Sequence, residues 1–452
     1  MRILIVGKYP PIEGGVSRRI YSTARTLAER GHDVSVLTNA REVEPSFRQC
    51  ILDRDREMES KSSRIRVFHV EEISERAYIP FANPYGSKLF GLGLSIARDF
   101  RPDLVVGWYF EPYGLVAAQI ARALDLPYIV CHAGSDIGRL AQHPNLKSAY
   151  EWMLEHASGV LTSGHSPSVR ARLSDLGMQE GRLVELPIAR VETMFSRPSR
   201  QGRPIVEMYH KQFREWVTPI GLEPALLERL VEANEPPIDW SIPTIATYGK
   251  VGAVKGSFDL VAALAALADD GRKFNLMTVA GGWPEVLQRY YSEIAVHPAL
   301  LKRTTFLPLV APWHVPDLIT SSDVVCFLER NFPIEFHAPR VPREVLAMGT
   351  CLVCSSEVAR KQPFAESLVD GKNFVEIADP ENIAGLAGRL GALIEDQTNC
   401  NVIGKHGYYL SSTCERFFHP HPIAAAIEQT LRSVPPINTN EADFQVSASP
   451  TA

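Results

Sequence analysis

The strongest constraint in this sequence is a rhythm: short apolar runs alternate with helix-patterned segments. Ile3 to Val6, Val34 to Thr38, Ile65 to Phe68, Leu104 to Val106, Tyr128 to Val130, Gly159 to Leu161 and Leu183 to Leu186 each read as a strand. Such spacing, with helical patterns between the strands, implies βαβ units around a parallel sheet. The clearest crossover is Val16 to Arg30, where Ile20, Ala24, Leu27 and Ala28 share one face and Gly31 offers a C-terminal stop.

Between Ser196 and Pro243 the rhythm lapses into Arg/Pro-rich turns and two helical stretches, around Ile205 to Trp216 and Pro224 to Ala233. It then resumes with strands Thr244 to Tyr248, Phe274 to Val279, Thr304 to Leu307, Val324 to Leu328 and Cys351 to Cys354. Helices are expected over Ser257 to Leu267, Pro284 to Ile294, Arg343 to Met348, Asn382 to Ile394 and Pro422 to Leu431. The expected organisation is a first doubly wound α/β domain over 1–195, a helical insertion or linker over 196–242 and a second such domain over 243–415. A C-terminal helix over 416–434, able to pack on the first domain, and a disordered tail over 435–452 would complete it.

Charge narrows the partners. Against 47 Lys plus Arg stand 52 Asp plus Glu, a net charge of -5, so nothing overall draws the chain to nucleic acid. The seven cysteines are odd in number and scattered, which suits a reducing compartment. Cys351 and Cys354 spell CxxC but lie inside a strand-like apolar run, so they are expected to pack rather than bind zinc. The apolar run at Ile3 is too short for a secretory core and no stretch reaches spanning length, so a cytoplasmic location is expected, with room for association at a membrane surface.

Two loops follow strands where an open α/β sheet binds ligands. The first, Lys8 to Val16, holds the pair Gly14 and Gly15 just before a helix; it matches neither the dinucleotide fingerprint nor a Walker loop, and alone such a pair is more often a tight turn. The second, Gly249-Lys-Val-Gly-Ala-Val-Lys-Gly256, places Lys250 and Lys255 between a strand and a helix, where ammonium groups can neutralise a diphosphate leaving group. Exposed, idle lysines are the bland alternative. His132, after the strand Tyr128 to Val130, could meet sugar hydroxyls or developing charge, or be merely structural. Asp53-Arg-Asp55 spells DxD, yet it sits in a charge run and is expected to be solvated rather than a metal site.

In this order and register the motifs resemble the large retaining GT-B glycosyltransferase family that includes bacterial mannosyltransferases and sucrose-synthase-like enzymes. Gly14-Gly15-Val16 is similar to its glycine loop, Gly31-His-Asp-Val34 to the end of its first helix, and Gly249 to Gly256 to its donor motif, with Lys250 where Arg is common. Ser321-Ser-Asp-Val-Val325 and Arg343-Glu-Val-Leu-Ala-Met-Gly349 match the segments around its donor-binding carboxylates. The resemblance implies two Rossmann-like domains facing a central cleft and transfer of a sugar from a UDP, GDP or ADP sugar to a hydroxyl or amine. It implies no metal and no other cofactor. It further implies that Glu344 accepts from the ribose, Lys250 and Lys255 hold the diphosphate, Gly14 and Gly15 close over it, Gly281 turns near the donor, Leu307 begins the stretch that meets the base, and His132 lies by the transferred sugar.

The chain departs from the family at the usual Glu-x7-Glu: eight positions before Glu344 stands Phe336, and the loop Glu329 to Pro342 lacks the usual glycines. Glu335 could take the first acid's place through a one-residue bulge; alternatively it faces solvent and loop amides hold the sugar. Trp108-Tyr-Phe-Glu-Pro-Tyr113 could stack on an acceptor or pack internally. Two other readings stay open: a phosphorylase-like sugar-transfer enzyme, and a catalytically weak nucleotide-sugar binding protein. The acceptor, whether small molecule, glycan or lipid, and any homo-oligomer stay open as well.

Overall fold

The computed structural model describes residues 1–55, 64–71, 84–163, 167–186, 191–195, 202–333, 337–414 and 422–433. Within them the apolar runs form two separate all-parallel sheets. The first comprises β1 (Arg2–Val6), β2 (Asp33–Thr38), β3 (Ile65–His69), β4 (Leu104–Trp108), β5 (Tyr128–Cys131), β6 (Gly159–Ser163) and β7 (Leu183–Leu186), in the order β3-β2-β1-β4-β5-β6-β7. The second comprises β8 (Thr244–Lys250), β9 (Asn275–Gly281), β10 (Thr304–Leu307), β11 (Val324–Phe327), β12 (Cys351–Ser355) and β13 (Val375–Ile377), in the order β10-β9-β8-β11-β12-β13.

Both orders reverse once, between β1 and β4 in the first sheet and between β8 and β11 in the second. At such a reversal the crossovers leave to opposite faces and open a crevice beyond the C-terminal strand ends. The two crevices face each other: Lys8, after β1, acts electrostatically on Lys250 at the end of β8, and the Arg340 side chain, beyond β11, lies 3.7 Å from where a Cβ on Gly15 would be. Helices on both faces explain why central strands such as β1 read as continuous apolar runs: Ile3, Leu4, Ile5 and Val6 are fully buried. The first helix, Gly15–Glu29, buries Ile20, Ala24 and Leu27 as its periodicity requires.

The border region is not a bare linker. Helices Arg203–Val217 and Pro224–Ala233 share the core of the second sheet. Phe213 stacks on Phe306 with ring centroids 5.4 Å apart, and the Tyr209 hydroxyl accepts from Ala311 N at 3.2 Å. The last described helix, Pro422–Ser433, returns to the first domain, where Ile423 and Ile427 join the core of Ile3 and Ile5. There Glu428 takes Arg30 and His32, each at 2.9 Å. The expected tail, 435–452, lies outside the described residues, as do 416–421.

A loop of the first domain is built into the second. Cys50 N donates to Leu309 O at 2.7 Å and Trp216 Nε1 to Arg48 O at 2.8 Å. This corrects the reading of Asp53-Arg-Asp55 as a solvated run: Asp55 is buried, with His314 Nε2 3.0 Å away and Asp317 on the other ring nitrogen at 2.8 Å. A partner 259 residues away is invisible to local charge patterning. Cys351 and Cys354 are buried, free thiols of β12.

Candidate functional site

Each crevice carries a cation from the strand before the reversal. Lys8 follows β1, with its Nζ 4.7 Å from the centre of the Tyr109 ring that follows β4. Lys250 ends β8, with its Nζ 5.3 Å from the Phe47 ring of the first domain. The two ammonium groups feel each other across the cleft. Burial and then Lys250 pull the Lys8 pKa down to about 8, against the opposing charge of Asp136. Burial, opposed by Glu13 and helped by Lys255, lowers Lys250 as well. Two crowded cations with depressed pKa values mark a place that an anion would relieve.

Lys255 is brought to the same reversal by Gly256, whose φ of 67° suits glycine and whose absent Cβ would lie 2.4 Å from Leu328 O. That contact sets Lys255 against Glu329, just beyond β11. Glu329 is fully buried; it pairs with Lys255, and His337 Nε2 lies 3.3 Å from its other oxygen. Burial works against the charged carboxylate, but the hydrogen bond from His337 and the charge of Lys255 hold it below the usual range. Phe332 completes the group, 4.3 Å from the His337 ring and 4.2 Å from Lys255 Nζ. Lys255 is thus a half-buried lysine with a resident carboxylate partner.

Glu344 sits in the helix Val341–Met348 and is 1% exposed. One carboxylate oxygen pairs with Arg18 of the first domain, and the other accepts from the Tyr248 hydroxyl at 2.9 Å. Beside it Arg340 pairs with Glu192, a second bridge between the domains, and lies 3.9 Å from Glu344. Gly15 lies under this seam, with the Arg340 side chain 3.7 Å from where a Cβ would be. Gly14 has φ 127° and open space around it, so it supplies the turn that starts the helix. Both oxygens of Glu344 are thus engaged, one by Arg18 and the other by Tyr248.

On the first-domain side, His132 is buried; its Nε2 lies 2.7 Å from Thr162 Oγ1, and its Nδ1 accepts from Gly134 N at 3.4 Å. Those partners select the Nε2-protonated tautomer, and burial followed by Arg19 lowers the pKa to about 4, so the ring is neutral at pH 7. Asp136 accepts from Ala133 N at 2.9 Å and Phe110 N at 3.3 Å. Burial raises its pKa to about 6. Of the aromatic stretch after β4, Trp108, Phe110 and Tyr113 are core residues; Tyr109, at φ 76°, is turned toward Lys8.

Gly281 pairs with Lys250 in the β8–β9 register, and a Cβ on it would meet Leu309 at 2.9 Å. Leu307 is fully buried, so beyond β10 only the following backbone is left to meet a ligand. Glu335 lies outside the described residues. Lys8, Arg18, Arg19, Asp136, Glu192, Glu329, Arg340 and Arg343 join the site without having been singled out by pattern. Only position offered a signal: Lys8 and Glu329 each follow a strand next to a sheet reversal.

Among the described residues no cluster of three or more His, Cys, Asp or Glu could hold a metal ion, and no helix is long and apolar enough to cross a membrane. A cavity of ≈ 780 Å³ lined by Asp323, Thr350, Cys351, Asn401 and Lys405 opens at the opposite, N-terminal ends of β11 and β12. It therefore lies apart from the cleft cations.

Residues 14–189 match the family described as a glycosyl transferase 4-like domain. No curated protein matches at a significant level. Among solved structures, the chain is similar to Anabaena HepE, crystallised with UDP and glucose, at 17% identity and a TM-score of 0.61, covering 96% of this chain and 100% of that one. It is also similar to sucrose-phosphate synthase of Thermosynechococcus elongatus, at 16% identity and 0.58, covering 96% and 98%. A glycosyltransferase of Rickettsia africae gives 16% identity and 0.57, covering 95% and 97%. The likeness runs over both domains, and the fold is GT-B: two Rossmann-like domains around a central cleft.

Proposed function

We propose that this chain is a retaining glycosyltransferase that moves a sugar from a nucleoside diphosphate sugar to a hydroxyl or amine. The observation that carries the reading is the convergence of Lys8 with Lys250 and Lys255 at two facing sheet reversals. The glycosyl transferase 4-like match on the first domain and the UDP held by HepE of the same fold support it.

In this reading the second domain, 243–415, takes the donor and the first, 1–195, takes the acceptor. Lys250 and Lys255 bind the diphosphate, where they stabilise the charge that grows as the bond from the anomeric carbon to phosphate oxygen breaks. An ammonium has three donors, so Lys255 can keep Glu329 and still reach phosphate. The cations take the part a metal would play. Glu344 receives the ribose once Arg18 swings away, and Gly14-Gly15 closes the cleft and excludes water. The acceptor oxygen bonds to the anomeric carbon on the face the phosphate leaves, and its proton passes to the departing phosphate oxygen. Neutral His132, fixed by Thr162, lines the sugar side without acting as a base. Glu335 is the proposed carboxylate for the developing positive charge.

A thermal-shift screen with intact UDP, GDP and ADP sugars tests donor binding. One nucleotide class should raise the melting temperature, and no shift with any of them would count against the proposal.

A further inference from the structure

One large aromatic side chain beside the cleft lysines is left uncovered. Of the six tryptophans, Trp108 and Trp216 are buried, whereas Trp283 is 61% exposed, the most of any. It stands at the end of the loop after β9, where Gly281 pairs with Lys250 in the strand register. Gly282, at φ 143°, makes the turn: its N–H donates to Ser46 O of the first domain at 3.3 Å, and Val251 O lies 3.8 Å from where its Cβ would be. The carbonyl of Trp283 accepts from Val286 N and Leu287 N, each at 3.0 Å, at the start of a helix, so its main chain is fixed. Its indole meets Phe47 of the first domain edge-on, with ring centroids 5.3 Å apart. Phe47 is held in turn, since its carbonyl accepts from Glu13 N at 2.8 Å, and Lys250 Nζ lies 5.3 Å from its ring centre. One ring of the first domain therefore touches both the cleft lysine and the exposed indole.

A single exposed aromatic is ordinary on a protein surface; its neighbours give this one meaning. Phe332, beside the other cleft lysine, is the contrast, because its ring is taken up by His337 at 4.3 Å, Lys255 Nζ at 4.2 Å and Lys361 Nζ at 5.8 Å. The indole of Trp283 has Phe47 on one side and is otherwise open. An occupant of this corner needs an anionic end for Lys250 and, further out, a flat ring for the indole. A nucleoside diphosphate has both. We propose that Trp283, braced by Phe47, is a stacking shelf for the base of the nucleotide, with Lys250 at the phosphate end of the same ligand. Every base has a π-face, so the shelf adds affinity for nucleotides as a class and leaves the choice among bases to hydrogen bonds made elsewhere. The inference rests on the reading of Lys250 and Lys255 as the diphosphate cations.

The test is calorimetry on the full chain with two ligands: the nucleoside diphosphate that the screen selects, and inorganic pyrophosphate, which has the phosphates without a ring. Trp283→Ala should weaken the nucleoside diphosphate by roughly fivefold to a hundredfold, the range for one lost base–aromatic stack. Pyrophosphate should bind wild type and this variant alike, whereas Lys250→Met should weaken both ligands. Trp283→Phe should keep part of the nucleotide affinity. In wild type the nucleotide should quench tryptophan fluorescence and pyrophosphate should not, and Trp283→Phe should lose that signal. Because the indole is mostly exposed, Trp283→Ala should melt close to wild type. Unchanged nucleotide affinity in Trp283→Ala would overturn the shelf and leave the diphosphate lysines standing. Equal weakening of nucleotide and pyrophosphate would overturn it as well, since the ring would then act through the lysine loop and not on a base. A raised acceptor KM with nucleotide affinity intact would move the ring to the acceptor and overturn the assignment. If no nucleotide binds wild type, the donor reading fails and the shelf falls with it.

Discussion

Lys255→Ala separates two roles that the structure gives one side chain. Lys255 is the cation beside a fully buried Glu329, and the same ammonium is proposed to grip the donor diphosphate. Were the lysine solvent-facing, its removal would leave the fold nearly intact. Here it strands a buried carboxylate, a change that typically costs about 3 to 5 kcal/mol. His337 remains 3.3 Å away and the Lys255 side chain is 21% exposed, so about 2 to 3 kcal/mol is the expected loss. That corresponds to roughly 5 to 10 °C in the melting of the second domain. Adding Glu329→Gln removes the stranded charge and should recover most of that stability. It should not recover the donor site: both variants should bind nucleoside diphosphate roughly tenfold to a hundredfold more weakly than wild type. Calorimetric melting and nucleotide titration of wild type, both single variants and the double variant close the cycle. The reasoning is refuted if the double variant regains nucleotide affinity, since Lys255 would then be only the counterion of Glu329, or if Lys255→Ala melts like wild type.

With a pKa of about 8, Lys8 loses its charge as pH rises, so nucleoside diphosphate affinity should fall between pH 7 and 9, and Lys8→Met should flatten the profile; an unchanged slope in the variant argues against the assignment. The lowered pKa of His132 means that the unfolded chain takes up a proton at about 6.5 while the folded one waits until about 4. Stability relative to His132→Gln should therefore drop by up to about 3 kcal/mol as pH falls through that window, measured by urea unfolding, and parallel curves would refute a neutral buried ring. Glu335→Gln should lower kcat strongly with nucleotide affinity nearly constant, and a normal kcat in a folded variant removes it from the site.

Strand and helix periodicity made the two α/β units legible, because strands buried on both faces must be continuously apolar and their crossovers amphipathic. The loops Gly14-Gly15 and Lys250 to Lys255 were legible because ligand sites follow strand ends. What stayed hidden depends on contacts distant in sequence. Arg18 and Arg19 read as polar residues of a helix start, and only the packing of the second domain turns them into a buried seam with Glu344, 326 positions away from Arg18. Glu329 escaped notice because its loop lacks the glycines that mark such a turn; its role shows only where Gly256 presses on Leu328. The helices of 203–233 look like a linker by composition, and their aromatic faces gain meaning only against Phe306 and Tyr291.

The central claim is transfer itself, and the most direct measurement is mass spectrometry of the products formed when the full chain meets the selected nucleotide sugar and an acceptor panel in chelator-containing buffer. The account predicts one acceptor heavier by a single sugar residue, an equal amount of nucleoside diphosphate, and proton NMR couplings showing that the donor's anomeric configuration is kept. Free sugar phosphate, an inverted product, or nucleotide-sugar binding with no turnover across the panel would contradict it.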